Sequence, residues 1–298
     1  MTGNTGNTGN TGNTGNTGNA GLTGETGGGW FTPFRVDLPL VTEVDPLTLN
    51  QLGELRRSAL AVGAFPDRYW AAKWHAFRVL HEFTETGWRS PIETTVMDPL
   101  WATIDLALTN TEIDLLVRAA RDERPEALAE ILSQDVEFIS DFMTLLTITP
   151  GSHPNTYRVL HIASLIGSFA VLYFKDRYKR ARPTHFCPAL MPPIPTPGHS
   201  AYPSGHATQA YLIALLMGRV LSGSVPSADL SEFVANLSAL ARRVARNREI
   251  AGVHYRSDSE AGDALAQALD PHLWINLYLA STPTVFKATI DAAKGEWT

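Results

Sequence analysis

The chain has 298 residues, 44% of them hydrophobic and 18% charged, enough for a sizeable core in one large domain or two small ones. Its net charge of −6 argues against a general nucleic-acid binder, which needs a basic surface, and its lone cysteine, Cys187, excludes an internal disulfide. The longest apolar stretch, Val159 to Phe174, is 16 residues long and contains His161, Ser164 and Ser168. That is short of the roughly 20 residues needed to cross a bilayer. With a mean hydropathy of −0.07 and no basic flank leading an apolar run at the N-terminus, the expectation is a soluble, cytoplasmic protein without a membrane span.

Residues 2–19 repeat Thr-Gly-Asn six times. Such a segment buries too little apolar surface to offset its ordering entropy, so residues 1–29 are expected to be a disordered tail and residues 30–298 a single α-helical domain. Trp30 to Asp45 reads as irregular. Leu49 to Val62 and Asp67 to Phe83 read as helices, the second with Tyr69, Trp70, Trp74, Phe77, Val79, Leu80 and Phe83 near helical spacing. Thr111 and Asp114 suggest a capping box for a helix to Asp122. Pro125 suits the first turn of a helix running toward Leu146. Thr156 to Tyr178 is a long apolar helix ending in a basic cluster. Pro183 to Pro203 carries seven prolines and reads as a stiff loop. His206 to Leu221, Ser227 to Asn247 (Ser227 as cap) and His254 to Leu269 complete the helices. No alternating strand pattern stands out, so the fold class is all-α, a helical bundle.

Three segments carry chemistry. In Lys175-Asp-Arg-Tyr-Lys-Arg-Ala-Arg182-Pro183, Lys175 and Arg182 are seven residues apart. They share a face if the helix persists and then make an oxyanion clamp. Ser204-Gly205-His206 precedes a helical pattern, where unpaired backbone amides and the helix dipole favour an anion. Gly205 permits close approach, Ser204 offers a hydroxyl and His206 a proton donor or acceptor. Arg248 adds a third cation. His254 and Asp258, four apart, face the same way on a helix, and the carboxylate can hold one imidazole nitrogen as N–H. Each segment alone has a plain structural explanation; together they point to a pocket for phosphate or vanadate.

The three segments resemble the signature of the type 2 phosphatidic acid phosphatase and vanadium haloperoxidase superfamily: Lys-x6-Arg-Pro, then Pro-Ser-Gly-His, then Ser-Arg-x5-His-x3-Asp. Here they stand as Lys175…Arg182-Pro183, Pro203 to His206, and Asn247-Arg248…His254…Asp258, with Asn247 in place of the usual Ser. The resemblance implies a bundle of the acid phosphatase and vanadium haloperoxidase type and one of two reactions. In a phosphatase, His254 attacks phosphorus, His206 protonates the leaving oxygen, and Lys175, Arg182 and Arg248 hold the equatorial oxygens, with no cofactor. In a haloperoxidase, vanadate is the cofactor and His254 its axial ligand. Peroxide binds the vanadium, and a halide is oxidised.

His199, in His199-Ser-Ala-Tyr-Pro-Ser-Gly-His206, is similar to a second His of the vanadium bromoperoxidases, as is Ala207-Thr208-Gln209. It either acts in catalysis or packs within the loop. On this basis the expectation is a vanadate-dependent haloperoxidase oxidising bromide or iodide with hydrogen peroxide; the alternative is a soluble phosphomonoester hydrolase using a phosphohistidine. The partners expected are small molecules and no nucleic acid, with a homo-oligomer left open. A non-catalytic anion binder would not need His206, His254 and Asp258 together, and a membrane lipid phosphatase conflicts with the hydropathy. Cys187 reads as a small buried hydrophobe, Asp141 as an ordinary helix charge, His185 as a loop cap, and Arg177, Lys179 and Arg180 as solvent-facing or dipole-matched cations.

Overall fold

The computed structural model describes residues 65–298. The expected tail, the irregular stretch from Trp30 and the helix Leu49 to Val62 lie outside the described residues. Among the described residues no β-strand forms, and nine main helices do: α1 (Ala72–Thr84), α2 (Leu106–Asp122), α3 (Arg124–Val136), α4 (Ile139–Leu146), α5 (Pro154–Tyr178), α6 (Gly205–Leu221), α7 (Ser227–Ile250), α8 (Arg256–Leu273) and α9 (Val285–Lys294). A shorter helical run, with one π-turn at Glu93–Met97, spans Arg89 to Trp101. The all-α expectation holds.

Helix α6 is the centre of the bundle and packs against α5, α7 and α8. Thirteen of its 17 residues are buried, and the other four, Tyr211, Leu215, Gly218 and Arg219, form one partly exposed stripe. It meets α5 closely: Gln209 Nε2 donates to Ser164 O and Oγ, both at 2.9 Å, and a Cβ on Gly167 would lie 3.2 Å from the Gln209 side chain. It meets α8 more closely still, at Gly262, where a Cβ would lie 2.8 Å from Ala207 Cβ and 2.8 Å from Ser204 O. Within Pro154–Phe186 an 18-residue window has a mean hydropathy of 1.4, and 72% of that window is buried inside the protein.

Several boundaries differ from the sequence reading. Helix α1 starts at Ala72, because Trp70 and Ala71 are extended. Helix α2 starts at Leu106, where Asp105 Oδ1 accepts from Leu108 N at 2.7 Å; Thr111 is inside the helix, its hydroxyl donating back to Ala107 O. The helix from Pro125 does not reach Leu146: Glu137 is extended (φ −170°), which breaks it into α3 and α4. Pro226, not Ser227, precedes α7 at the cap position. The proline-rich segment is irregular apart from short turns at Pro183–Phe186 and Pro188–Leu190. The last long helix begins at Arg256, leaving His254 outside it, and α9 follows as a further helix.

Candidate active site

The site is assembled where the end of α5, the start of α6 and the α7–α8 turn meet. Lys175 lies in the last turn of α5, 2% exposed, and Nζ donates to Ser200 O at 2.7 Å and Ala201 O at 2.8 Å. The helix does not persist to Arg182, contrary to the two-turn register expected. It stops at Tyr178, with Lys179 in the left-handed region (φ 52°). Arg182 is brought back by the chain reversal and fixed by its own bonds: Nε donates to His199 O at 3.0 Å and Nη1 to Val253 O at 2.8 Å. The same guanidinium reaches two imidazoles, donating from Nη1 to His254 Nε2 (3.0 Å) and from Nη2 to His199 Nδ1 (2.9 Å).

These bonds assign the tautomer of His254. His254 Nδ1 faces Asp258 Oδ2 at 3.1 Å, and a carboxylate only accepts, so the ring proton is on Nδ1 and Nε2 carries a bare lone pair. His254 sits ahead of α8 and Asp258 in its first turn, so the pair forms across a cap: Asp258 Oδ2 also accepts from Tyr255 N at 3.0 Å. Gly252, at φ +82°, makes the turn that releases the chain from α7 into this position. His199 Nδ1 lies between Arg182 Nη2 (2.9 Å) and Ser200 O (3.1 Å), and its buried Nε2 has no hydrogen-bond partner. Burial, then the neighbouring Lys175 and Arg182, holds His199 down to about 4. His254 is held well below the usual histidine range by burial and by Arg182, Lys175, His199 and Arg248.

His206 is in the first turn of α6. Its Nε2 donates to Gln134 O at 3.1 Å, and Phe138 packs on the ring at 5.3 Å between centroids. Burial and Arg248 push its pKa well down, so the ring is neutral with Nδ1 bare before an anion arrives. Arg248 is buried near the end of α7; Nη2 donates to Ile131 O at 2.8 Å, Nη1 lies 3.4 Å from Asp135 Oδ1, and Nε has no partner. Burial lowers its pKa to about 10, which leaves it charged. Ser204 caps α6: its Oγ accepts from Ala207 N at 3.4 Å, and its own N donates to Asp258 O at 2.9 Å, tying the start of α6 to α8. Gly205 and His206 then present first-turn amides that have no carbonyl partner within the helix.

The structure thus brings together Lys175, Arg182, His199, Ser204, Gly205, His206, Arg248, His254 and Asp258. Two buried guanidiniums, the Lys175 amine, a helix start and two neutral imidazoles make a buried site that favours an oxyanion. Asn247, the departure from the signature, is buried and donates through Nδ2 to Gln134 Oε1 (2.9 Å) and Glu130 Oε2 (3.0 Å), linking α7 to the segment that holds His206. Cys187 is half-buried and packs against the apolar cluster of Leu116, Leu190, Ala201 and Tyr255. Asp141 accepts from Gln134 Nε2 at 3.0 Å rather than anchoring an arginine, and His185 Nδ1 accepts from Arg182 N at 3.2 Å as a cap.

One reading is corrected. Arg180 is not solvent-facing but buried at 7% exposure; Nη1 donates to Asp258 Oδ1 at 2.7 Å and Nη2 to Glu112 Oε2 at 3.0 Å. Glu112, Gln134 and Asp135 were also not picked out. Their partners in the site, Arg180, His206 and Arg248, are more than 65 residues away in sequence, and nothing in local spacing marks them.

Comparison with known proteins gives a consistent family. Residues 157–278 match the model of the PAP2 superfamily. Two curated relatives, decaprenylphosphoryl-5-phosphoribose phosphatases from two strains of Mycobacterium tuberculosis, are each 30% identical over 154 residues, covering 50% of this chain and 80% of the relative. Among solved structures, the first transmembrane PAP2 type phosphatidylglycerolphosphate phosphatase from Bacillus subtilis aligns with a TM-score of 0.47 and 17% identity, over 65% of this chain and 92% of that one. The expectations of a soluble chain, no membrane span and a cytoplasmic location are withdrawn. The curated relatives are named for a decaprenyl-linked substrate, and Pro154–Phe186 is long and apolar enough to cross a membrane by length and composition. The 16-residue apolar run is bounded by Arg158 and Lys175, and helix α5 continues past both.

Proposed function

Because the chain belongs to the PAP2 superfamily, we propose that it is a phosphatase that passes the phosphoryl group of a phosphomonoester to His254 and then to water. His254 Nε2 attacks phosphorus while the ester P–O bond breaks. His206, protonated at Nδ1 once the dianion has entered, gives that proton to the leaving oxygen. Water then attacks the phosphohistidine, His206 takes back a proton, the P–N bond breaks and inorganic phosphate leaves. Lys175, Arg182, Arg248 and the amides at Gly205 and His206 stabilise the equatorial oxygens throughout.

The observation that carries this reading is the opposed bonding of His254. Its Nδ1–H is held by Asp258 at 3.1 Å, and its bare Nε2 faces Arg182 Nη1 at 3.0 Å inside a cationic site. A simple anion-binding site has no use for a nucleophile held in this tautomer. Vanadate would fit the same cations, but the curated relatives are phosphatases and support hydrolysis over the haloperoxidase reading. His199, which favoured bromide or iodide oxidation, has a sufficient role in bonding Arg182. The substrate class suggested by the curated relatives is a prenyl-linked phosphate ester.

A paired assay tests the proposal: p-nitrophenyl phosphate hydrolysis beside peroxide-dependent bromination of a phenolic dye after vanadate loading. Phosphate release that vanadate inhibits, and that His254→Ala abolishes, is expected. Vanadate-dependent bromination without phosphatase activity would overturn it in favour of the haloperoxidase.

A further inference from the structure

Asp258 is fully buried, and its two oxygens do different things. Oδ2 takes His254 Nδ1 and Tyr255 N; Oδ1 takes Arg180 Nη1 at 2.7 Å. Arg180 continues the chain. Its Nη2 donates to Glu112 Oε2 at 3.0 Å, its Nη1 also donates to Ser257 Oγ at 2.7 Å, and Cζ lies 3.8 Å over the Tyr255 ring. Glu112, 4% exposed on α2, accepts from Ser257 N at 2.6 Å and Ser257 Oγ at 2.8 Å. The result is an unbroken line from α2 to the nucleophile: Glu112, Arg180, Asp258, His254.

The charges in this line are the informative part. A buried arginine beside a single catalytic carboxylate would neutralise it, and the carboxylate would then do little to offset positive charge on the imidazole ring. Glu112 neutralises Arg180 from the far side. One net negative charge is left for Asp258 to present to His254, while Arg180 holds Asp258 Oδ1 through Nη1 and Glu112 Oε2 through Nη2. Removing Glu112 charge would leave Asp258 in place but electrostatically cancelled.

Resting on the phosphatase reading above, we propose that Arg180 and Glu112 are positioning residues that tune the nucleophilicity of His254 through Asp258. In the first step the bond from His254 Nε2 to phosphorus forms as the ester P–O bond breaks. The ring, still protonated at Nδ1, becomes cationic. The net negative charge on the Glu112–Arg180–Asp258 line stabilises that cation as it develops, in the transition state more than in the ground state. Neither Arg180 nor Glu112 touches the phosphate.

The test uses the full chain with p-nitrophenyl phosphate, measuring kcat and KM and trapping the phosphohistidine by rapid quench. All rates are normalised to the folded fraction from circular dichroism. Glu112→Gln and Arg180→Lys are expected to lower kcat on the order of 10- to 100-fold with KM changed less than about threefold, the loss residing in phosphohistidine formation. Adding Glu112→Gln to Asp258→Asn is expected to cost nothing beyond Asp258→Asn alone, because both act through one carboxylate. Ser257→Ala, at a partly exposed position, keeps the test decisive should a buried variant fail to fold; it is expected to lose on the order of threefold in kcat. Unchanged kcat per folded molecule in Glu112→Gln and Ser257→Ala, with only a lower melting temperature, would overturn the proposal. So would losses that multiply in the double variant. Full turnover in His254→Ala would instead sink the phosphatase reading itself, so the two failures are distinguishable.

Discussion

Gly262→Ala places a methyl carbon where the start of α6 already lies. The added Cβ would be 2.8 Å from Ala207 Cβ, 2.8 Å from Ser204 O and 3.1 Å from Thr208 N. Carbon contacts are comfortable at about 3.5–4.0 Å, so the two helices must separate by roughly 0.7–1.2 Å. None of the three atoms is the end of a flexible side chain, so no rotamer change relieves the clash. Overpacking of this kind costs about 1–3 kcal/mol, offset by about 1 kcal/mol because alanine suits a helix interior better than glycine. The net loss of stability is therefore small, at most about 2 kcal/mol, or a melting temperature lower by roughly 4–8 °C. The effect on activity is larger. Ser204 and His206 ride on the displaced turn, and the Ser204 N to Asp258 O bond of 2.9 Å that registers α6 against α8 is stretched. A displacement near 1 Å between the cradle and His254 lowers kcat/KM on the order of 100-fold. The assay is p-nitrophenyl phosphate hydrolysis beside a thermal melt of the same preparation. A Gly262→Ala protein with kcat/KM within threefold of the parent would refute the argument that this glycine sets the distance between the anion cradle and the nucleophile.

Phosphate is expected to raise the melting temperature, with a stabilisation of roughly 2.7 kcal/mol at 100 times its Kd, and Arg248→Ala to remove most of that shift; a parent melt insensitive to phosphate would contradict the anion site. Folded His199 takes its proton at about 4, whereas an unfolded histidine takes it near 6.5. Between those values the unfolded chain binds more protons, so stability falls as pH drops from about 6.5 toward about 4. His254 and His206 act in the same direction, and phosphate should lessen the fall by favouring their charged forms; equal phosphate stabilisation at pH 7 and pH 5 would count against this. Asn247→Ser, which restores the commoner residue of the signature, is expected to destabilise by about 1–2 kcal/mol, because serine is too short to reach both Gln134 and Glu130. Unchanged stability by denaturant titration would show that this pair of bonds is dispensable.

The anion groups were legible because they are clustered in three short segments whose residue types have few other uses in combination. The structure brings Lys175, Arg182, Ser204, Gly205, His206, Arg248, His254 and Asp258 to one place, the site the proposed function rests on. Their route into the site was less legible. Lys175 and Arg182 meet because α5 stops and the chain reverses at Lys179, not because a helix carries both on one face. The His254–Asp258 pair spans a helix cap rather than a helix turn. Arg180 was read as a surface charge because a basic cluster at a helix end is usually solvated. What buries it is Glu112 arriving from α2, a long-range pairing without a local trace.

By itself the sequence determined the all-α class, through apolar spacing near 3.6 residues, and the residue types of the candidate pocket, its cations and imidazoles. Both are local properties: periodicity and side-chain type are fixed by the residues themselves. Only the tertiary structure decided which imidazole nitrogen is bare, how closely α6 approaches α8, and which carboxylates balance Arg180. Those depend on distances of about 3 Å between groups tens to more than a hundred residues apart. Such distances are set by the packing of whole helices around α6.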